Sequence, residues 1–327
     1  MINYSLTQKY LHHLILGNNF VKKSLFDIEK IIFLDKHNDY KSQKHIFITG
    51  LPRSGTTILL EFIHRTQDFA SLTYSDMPFI MSVNLYGKIF RNKNIPLKER
   101  IHQDGIKFDL KSPEAFDEVF FKTYEKNNHK DNFKNFVSLV LKKYNKKRYL
   151  SKNNNNYKRI NLITSNFSNA IILITYRNPL QHCNSLLTQH KHMCELQKKE
   201  KFILNYMNYL GHYEFGLNYK SWNLSEKYKD PFTLNHWLEQ WNLFYDQIIK
   251  ISEKNKNILL VPYDEICIQP ELVKKLVQKI DINHGVDNNF FKISKKEIKD
   301  SYENDILLKC LDIFEKMKSL NIDLNNI

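Results

Sequence analysis

Short apolar runs alternate with longer amphipathic segments along most of the chain. Ile46-Phe-Ile48, Ile171-Ile-Leu-Ile-Thr175 and Asn257-Ile-Leu-Leu-Val-Pro-Tyr-Asp-Glu265 are apolar runs rich in β-branched residues, of strand length. Arg148-Tyr-Leu-Ser-Lys152 reads as another strand, and Leu72 to Tyr74 as a further short one with Asp76 at its carboxyl end. Between them, helical spacing appears over Thr56 to His64, where Ile58, Leu59, Phe62 and Ile63 fall together. It recurs over Phe133 to Tyr144, Tyr157 to Asn166 and Leu180 to His190. Thr233 to Ser252 is an amphipathic core helix carrying Trp237, Trp241, Phe244, Tyr245 and Ile248. Two polar helices, around Leu6 to Leu16 and Val21 to Leu34, precede the first strand, and Pro270 to Ile280 follows the last. Strands in alternation with helices predict an α/β fold, a three-layer parallel sheet flanked by helices. Neither a repeat nor a Pro/Gly/Ser linker divides the chain. The expectation is one domain over residues 1–327, with N-terminal helices in 1–43, a core over about 45–270 and C-terminal helices in 271–327.

The first strand runs into Thr49-Gly-Leu-Pro-Arg-Ser-Gly-Thr-Thr57 and then a helix. Strand, glycine-bounded loop and helix form a phosphate cradle of the P-loop nucleotide-binding type. Loop N–H groups and the positive end of the helix dipole converge there on one anion. Gly50 and Gly55 have Walker A spacing, but Thr56 stands where the Walker lysine would be, and the cation is Arg53, inside the loop. Such a loop can hold a 5′-phosphate without the usual clamp for a triphosphate and its metal. Taken alone, it also fits a turn with Ser54 or Thr56 as a helix N-cap.

A second candidate site follows the strand at Ile171 to Thr175. Arg177 sits at its carboxyl end, Asn178-Pro179 opens a helix, and Ser185 lies eight residues beyond Arg177. Ligands of open α/β sheets bind at the carboxyl ends of strands, so both loops should face one crevice. Arginine use points the same way. The chain has only seven arginines among 49 basic residues, yet both loops carry one. A planar fork that binds phosphate or sulfate oxygens in pairs explains that choice.

These two stretches resemble the sulfotransferase family that uses 3′-phosphoadenosine 5′-phosphosulfate (PAPS), in what looks like a bacterial branch. The resemblance makes Pro52, Arg53, Ser54, Gly55, Thr56 and Thr57 the 5′-phosphosulfate loop, and Arg177 with Ser185 the 3′-phosphate pair. It implies sulfuryl transfer to an acceptor hydroxyl of a carbohydrate, glycolipid or small alcohol, with adenosine 3′,5′-bisphosphate as product and no metal required. It also implies catalytic roles for Arg53, for Lys152, and for Asp76 as the base. Cytosolic members carry a histidine two residues after the lysine, but this chain has Asn154 there, which moves weight onto Asp76. Asp76 equally fits a turn cap before Pro78, and the run Asn153 to Asn156 a solvated loop.

A net charge of +14 favours approach of a polyanionic nucleotide or acidic glycan. Nucleic acid is not expected as a partner, because no helix-turn-helix or RNP-type signature accompanies the charge. The four cysteines are far apart, which argues against zinc and against a disulfide framework, and suits a reducing compartment. No apolar stretch reaches transmembrane length and no signal-peptide core opens the chain, so a cytoplasmic protein is expected. Other acid/base candidates are Glu99, His102, Asp104, Glu114 and Glu118, and farther along His212 and Glu214. Ser112-Pro113-Glu114 also fits an ordinary helix start. His190 and His192 are spaced i, i+2 and make a poor metal pair. A P-loop kinase or NTPase, and a non-catalytic nucleotide- or nucleic-acid-binding protein, remain as alternatives. The former would need the missing Walker lysine. The pattern leaves oligomeric state open.

Overall fold

Strands made almost wholly of apolar residues need cover on both faces, and the sheet meets that need with two helical layers. The computed structural model describes residues 5–35, 40–89, 98–99, 107–124, 130–222, 227–282 and 290–320. Strands β1 (Ile46–Thr49), β2 (Phe69–Ala70), β5 (Arg148–Lys152), β6 (Ile171–Tyr176) and β7 (Ile258–Pro262) pair in parallel in the order β2-β5-β1-β6-β7. A separate antiparallel pair joins β3 (Lys98–Glu99) to β4 (Lys107–Phe108). The helices before β5 are α1 (Leu6–Gly17), α2 (Asn19–Phe33), α3 (Thr56–His64), α4 (Val83–Ile89), α5 (Glu118–Thr123) and α6 (Lys130–Tyr144). Those after it are α7 (Ile160–Asn166), α8 (Pro179–Lys199), α9 (Lys201–Leu210), α10 (Leu234–Ser252), α11 (Tyr263–Ile266), α12 (Pro270–Lys279) and α13 (Asn304–Leu320).

The period-2 alternation of strand side chains divides the core. Phe47 of β1 and Ile172, Ile174 and Tyr176 of β6 join the larger cluster, with Phe133 and Phe136 of α6 and Trp237, Trp241 and Phe244 of α10. Ile46, Ile48, Leu173 and Val261 face the other way, onto Leu59, Leu60 and Ile63 of α3 and Val273 and Leu276 of α12. Five parallel strands between helical layers are the α/β architecture that the pattern implied.

Several details differ from it. The short strand lies at Phe69–Ala70, paired with Arg148 and Tyr149, and not at Leu72 to Tyr74. Residues 74–76 instead form a tight 3₁₀ turn, closed by the Asp76 carboxylate accepting the Thr73 N–H at 2.8 Å. Ser112-Pro113-Glu114 starts no helix, since Ser112 bonds back to Asp109 and α5 begins at Glu118. Helix α8 runs to Lys199, well past His190, and α9 was not foreseen. No described helix is long and apolar enough to cross a membrane, and the four cysteines are unbridged.

His45, immediately before β1, ties two strands together without carrying charge. Its Nε2–H donates to the Tyr40 carbonyl and its Nδ1 accepts the Tyr149 N–H, each at 2.9 Å. Burial is the main reason its pKa falls to about 4. The unfolded chain therefore binds a proton below pH 6.5 that the folded chain refuses. This contribution to stability is full above pH 6.5 and is lost as the pH falls towards about 4. His45→Asn keeps an acceptor near the Nδ1 position and removes the titration. Urea unfolding across that window should show a pH slope smaller by up to about 1.4 kcal/mol per unit in the variant. An unchanged slope would mean that His45 titrates normally in the folded protein.

Candidate active site

The loop after β1 takes its shape from three unusual backbone conformations. Gly50 (φ 139°), Arg53 (φ 69°) and Gly55 (φ 98°) all lie at positive φ. Glycine relieves the first and third, whereas Arg53 holds a left-handed conformation with a side chain attached, a strain typical of functional loops. At Gly55 a Cβ would stand 2.1 Å from the Tyr263 ring, so no other residue fits without displacing that ring. Gly55 is also the N-cap of α3 and supplies no side-chain acceptor to the first turn. Ser54, the alternative cap, is turned underneath, donating to the Leu51 carbonyl at 2.7 Å and meeting the Thr175 hydroxyl at 2.6 Å. The first-turn amides at Thr56 and Thr57 thus keep their positive ends directed out of the helix.

The β1–β6 register, Ile46↔Ile171 through Thr49↔Ile174, sets this loop beside the turn that follows Tyr176. There Asn178 caps α8 by accepting the Gln181 N–H at 3.1 Å, and its own N–H donates to Asp264 at 2.6 Å. Arg177 Nη1 donates to the Arg53 carbonyl at 3.3 Å, and its Nη2 to the Ser294 carbonyl at 3.0 Å. Its Nε, 3.5 Å from Asp264, has no hydrogen-bond partner although it is buried. Arg53 Nε donates to the Ser185 hydroxyl at 3.2 Å. The two arginines and the serine that the sequence singled out are therefore in contact, directly or through one carbonyl.

His182 was passed over in the sequence, although it lies three residues before Ser185, on the same face of α8. Its Nε2–H donates to the Pro52 carbonyl at 2.8 Å, and its Nδ1 accepts the Trp241 indole N–H at 3.1 Å. Burial, helped by Arg177 and Arg53, pushes its pKa down to about 3. It is a neutral prop beneath the loop.

Two hollows meet at Arg53, Thr56 and Thr57. One, of about 310 Å³, lies towards Arg177, Tyr263, Lys292 and Ser294. The other, of about 100 Å³, is lined by Lys152, Glu114, Asn154, His212, Glu214 and an apolar wall that includes Met207 and Phe215. Lys152, at the end of β5, is nearly buried, with its ammonium 3.8 Å from Glu114. Glu114 also accepts the Tyr74 hydroxyl at 3.3 Å and the Ala115 N–H at 3.0 Å. The Asn run is no solvated loop: Asn153, Asn154 and Asn156 are buried, and Asn154 donates to Glu214 at 3.1 Å.

Asp76 does not reach this cleft. It is 0% exposed, pairs with Lys143 through one oxygen, and accepts the Tyr144 hydroxyl at 2.6 Å and the Thr73 N–H through the other. The sequence expected it to be the base; in the structure both of its oxygens are bonded away from either hollow. Its oxygens hold the 74–76 turn to α6. Glu118 is likewise committed, to a two-bond fork with Arg159 at 2.7 and 2.8 Å. His102 and Asp104 lie outside the described residues, as does the side chain of Glu99. Among the described residues no three or more His, Cys, Asp or Glu side chains cluster as metal ligands would.

A model of the sulfotransferase family matches residues 45–283. That match takes in every strand of the main sheet, both loops and both hollows except for the 290–294 edge. Two solved structures share the fold at 11% identity. Sulfotransferase STF9 from Mycobacterium avium has a TM-score of 0.54 over 98% of this chain and 87% of its own. Sulfotransferase STF1 from Mycobacterium tuberculosis H37Rv has a TM-score of 0.50 over 99% and 87%. No curated protein sequence matches the chain. With its parallel sheet of the P-loop type and a family match over most of its length, the chain belongs to the sulfotransferase family.

Proposed function

We propose that the chain, working as one domain, transfers a sulfuryl group from PAPS to an acceptor hydroxyl. The observation that carries this reading is the meeting of the two loops through Arg177, the Arg53 carbonyl and Ser185, beside the Arg53, Thr56 and Thr57 that both hollows share. The residues suit a nucleotide with phosphates at both ends of its ribose. Amides of residues 53 and 55–57 and the Arg53 guanidinium take the 5′-phosphate. Arg177 and Ser185 take the 3′-phosphate, for which the second hydrogens on the Arg177 Nη atoms remain as donors. The larger hollow then holds the nucleotide, and the smaller one the acceptor.

The donor supplies an activated sulfuryl group on a phosphate that leaves. The acceptor oxygen bonds to sulfur as the bond from sulfur to the phosphate oxygen breaks, and the hydroxyl proton must go to a base. Glu114 takes that role in place of Asp76, because its carboxylate lines the acceptor hollow. Lys152, beside it, faces the transferring group with a positive charge, and Arg53, Thr56 and Thr57 stabilise charge building on the leaving phosphate. In this scheme the acceptor hydroxyl belongs to a carbohydrate, glycolipid or small alcohol.

On this account adenosine 3′,5′-bisphosphate binds in calorimetry without magnesium, and more tightly than ATP with or without it. Arg177→Ala should weaken that binding by about 1.5–3 kcal/mol, the range for one charge-assisted hydrogen bond. Preference for ATP with magnesium, or unchanged affinity in the variant, would contradict the donor assignment.

Glu114→Gln and Asp76→Asn separate chemistry from folding. Glu114→Gln should bind the bisphosphate normally and lose roughly 10²–10⁴-fold in kcat. Asp76→Asn should instead lower unfolding stability by about 3–5 kcal/mol, because it strands the Lys143 ammonium. Its folded fraction should still turn over. The base assignment fails if Glu114→Gln turns over at the wild-type rate.

A further inference from the structure

On the far side of Glu214 the acceptor hollow borders another, of about 310 Å³, for which the transfer step has no use. Three separate segments build it, around Glu118 to Lys122, Asn155 to Arg159 and Gly211 to Trp222. Its walls carry four cations, Lys122, Lys158, Arg159 and Lys220, against two carboxylates, Glu118 and Glu214. Both carboxylates are engaged. Glu118 is held by the Arg159 fork and by Asn153 at 2.7 Å, and Glu214 by Asn154. Lys122 donates to the Asn208 carbonyl and to the Tyr213 hydroxyl. Lys158 and Lys220 have no carboxylate partner among the described residues, and the Lys220 ammonium stands 4.5 Å from the Tyr213 ring centroid. Burial, with the Arg159 charge, lowers the Lys158 pKa, against a smaller opposing pull from Glu118 and Glu214.

Aromatic side chains stand beside these cations. Tyr213 and Trp222 line the hollow, and Trp222 packs at 6.2 Å on the buried Trp237, which fixes its place. An aromatic face suits the apolar face of a sugar ring, and lysines at the rim suit an anionic substituent on it. Gly211 forms part of the floor at φ 74°, where a Cβ would come within 3.0 Å of Glu118. The backbone of this turn therefore presses close to the Arg159–Glu118 fork.

We propose that this hollow is an anion subsite of the acceptor, and that the acceptor is an acidic glycan. A sugar bearing a carboxylate or sulfate would sit between Lys158 and Lys220 while a neighbouring sugar offers its hydroxyl at Glu114. The inference rests on the reading of the smaller hollow as the acceptor site. It narrows that reading from hydroxyl compounds in general to polyhydroxylated anions, which the +14 charge of the chain would also attract.

The test is a titration of the full chain, with and without adenosine 3′,5′-bisphosphate, using oligosaccharides in matched pairs. One pair is a uronic-acid oligosaccharide and its carboxyl-reduced counterpart, and the other a sulfated oligosaccharide and its desulfated parent. In at least one pair the acidic member should bind about tenfold tighter or more, and about tenfold corresponds to ~1.4 kcal/mol. Whichever pair shows the difference identifies the anion. The preference should shrink as ionic strength rises. The double variant Lys158→Gln/Lys220→Gln should abolish it while binding the bisphosphate as the wild type does. The proposal is overturned if neutral members bind as well as acidic ones, if the double variant keeps the preference, or if no acidic member binds. Loss of bisphosphate binding in the wild type would instead strike the donor assignment, and the titrations without nucleotide would still read the subsite.

Discussion

The site depends on the parallel pairing of β1 with β6. In that register Thr49 lies opposite Ile174, so the two chain segments leave the sheet side by side and in the same direction. An antiparallel pair would send them to opposite ends, and a loop and a helix start that are far apart in sequence could not share an anion. The register is held by apolar alternation, with Phe47 facing one core cluster and Ile46 and Ile48 the other. A slip by one residue would turn all three outwards from their partners.

Beneath the loops, neutral hydrogen bonds join the site to the core. Tyr245 of α10 donates to the Thr175 carbonyl at 2.9 Å, Thr175 meets Ser54, and Trp241 bonds His182, which holds the Pro52 carbonyl. Groups without charge suit this layer, because a buried ion would be costly. Positive charge stays on the upper side, on Arg53 and Arg177. The side chain of Ser54 thus belongs to the support and not to the contact surface.

The contact between the two loops was legible in the sequence because its signals are local. Glycine spacing, an arginine within the loop and an arginine–serine pair after a strand all fall within single short stretches. The lining of the smaller hollow was not, because it is assembled from distant segments. Glu114, Lys152, His212 and Glu214 come together only through the packing of α5, α9 and the end of β5, and no spacing in the chain announces it. The surroundings of Asp76 were hidden for the same reason. Its position after an apolar run suggested a strand end, but Lys143 and Tyr144, on a helix some seventy residues away, decide its role. His182 carried one local cue, its i, i+3 relation to Ser185, but its partners Pro52 and Trp241 lie elsewhere in the chain.

The central claim is that the two loops form one site for a nucleotide with a phosphate at each end of its ribose. A crystal structure of the chain with adenosine 3′,5′-bisphosphate tests it most directly. The account places the 5′-phosphate on the amides of residues 53 and 55–57 and the 3′-phosphate within hydrogen-bonding reach of Arg177 and Ser185. The adenosine should lie in the hollow by Tyr263 and Lys292, leaving Lys152 and Glu114 clear. A nucleotide bound with its 3′-phosphate away from Arg177, or lying across Glu114, would contradict it.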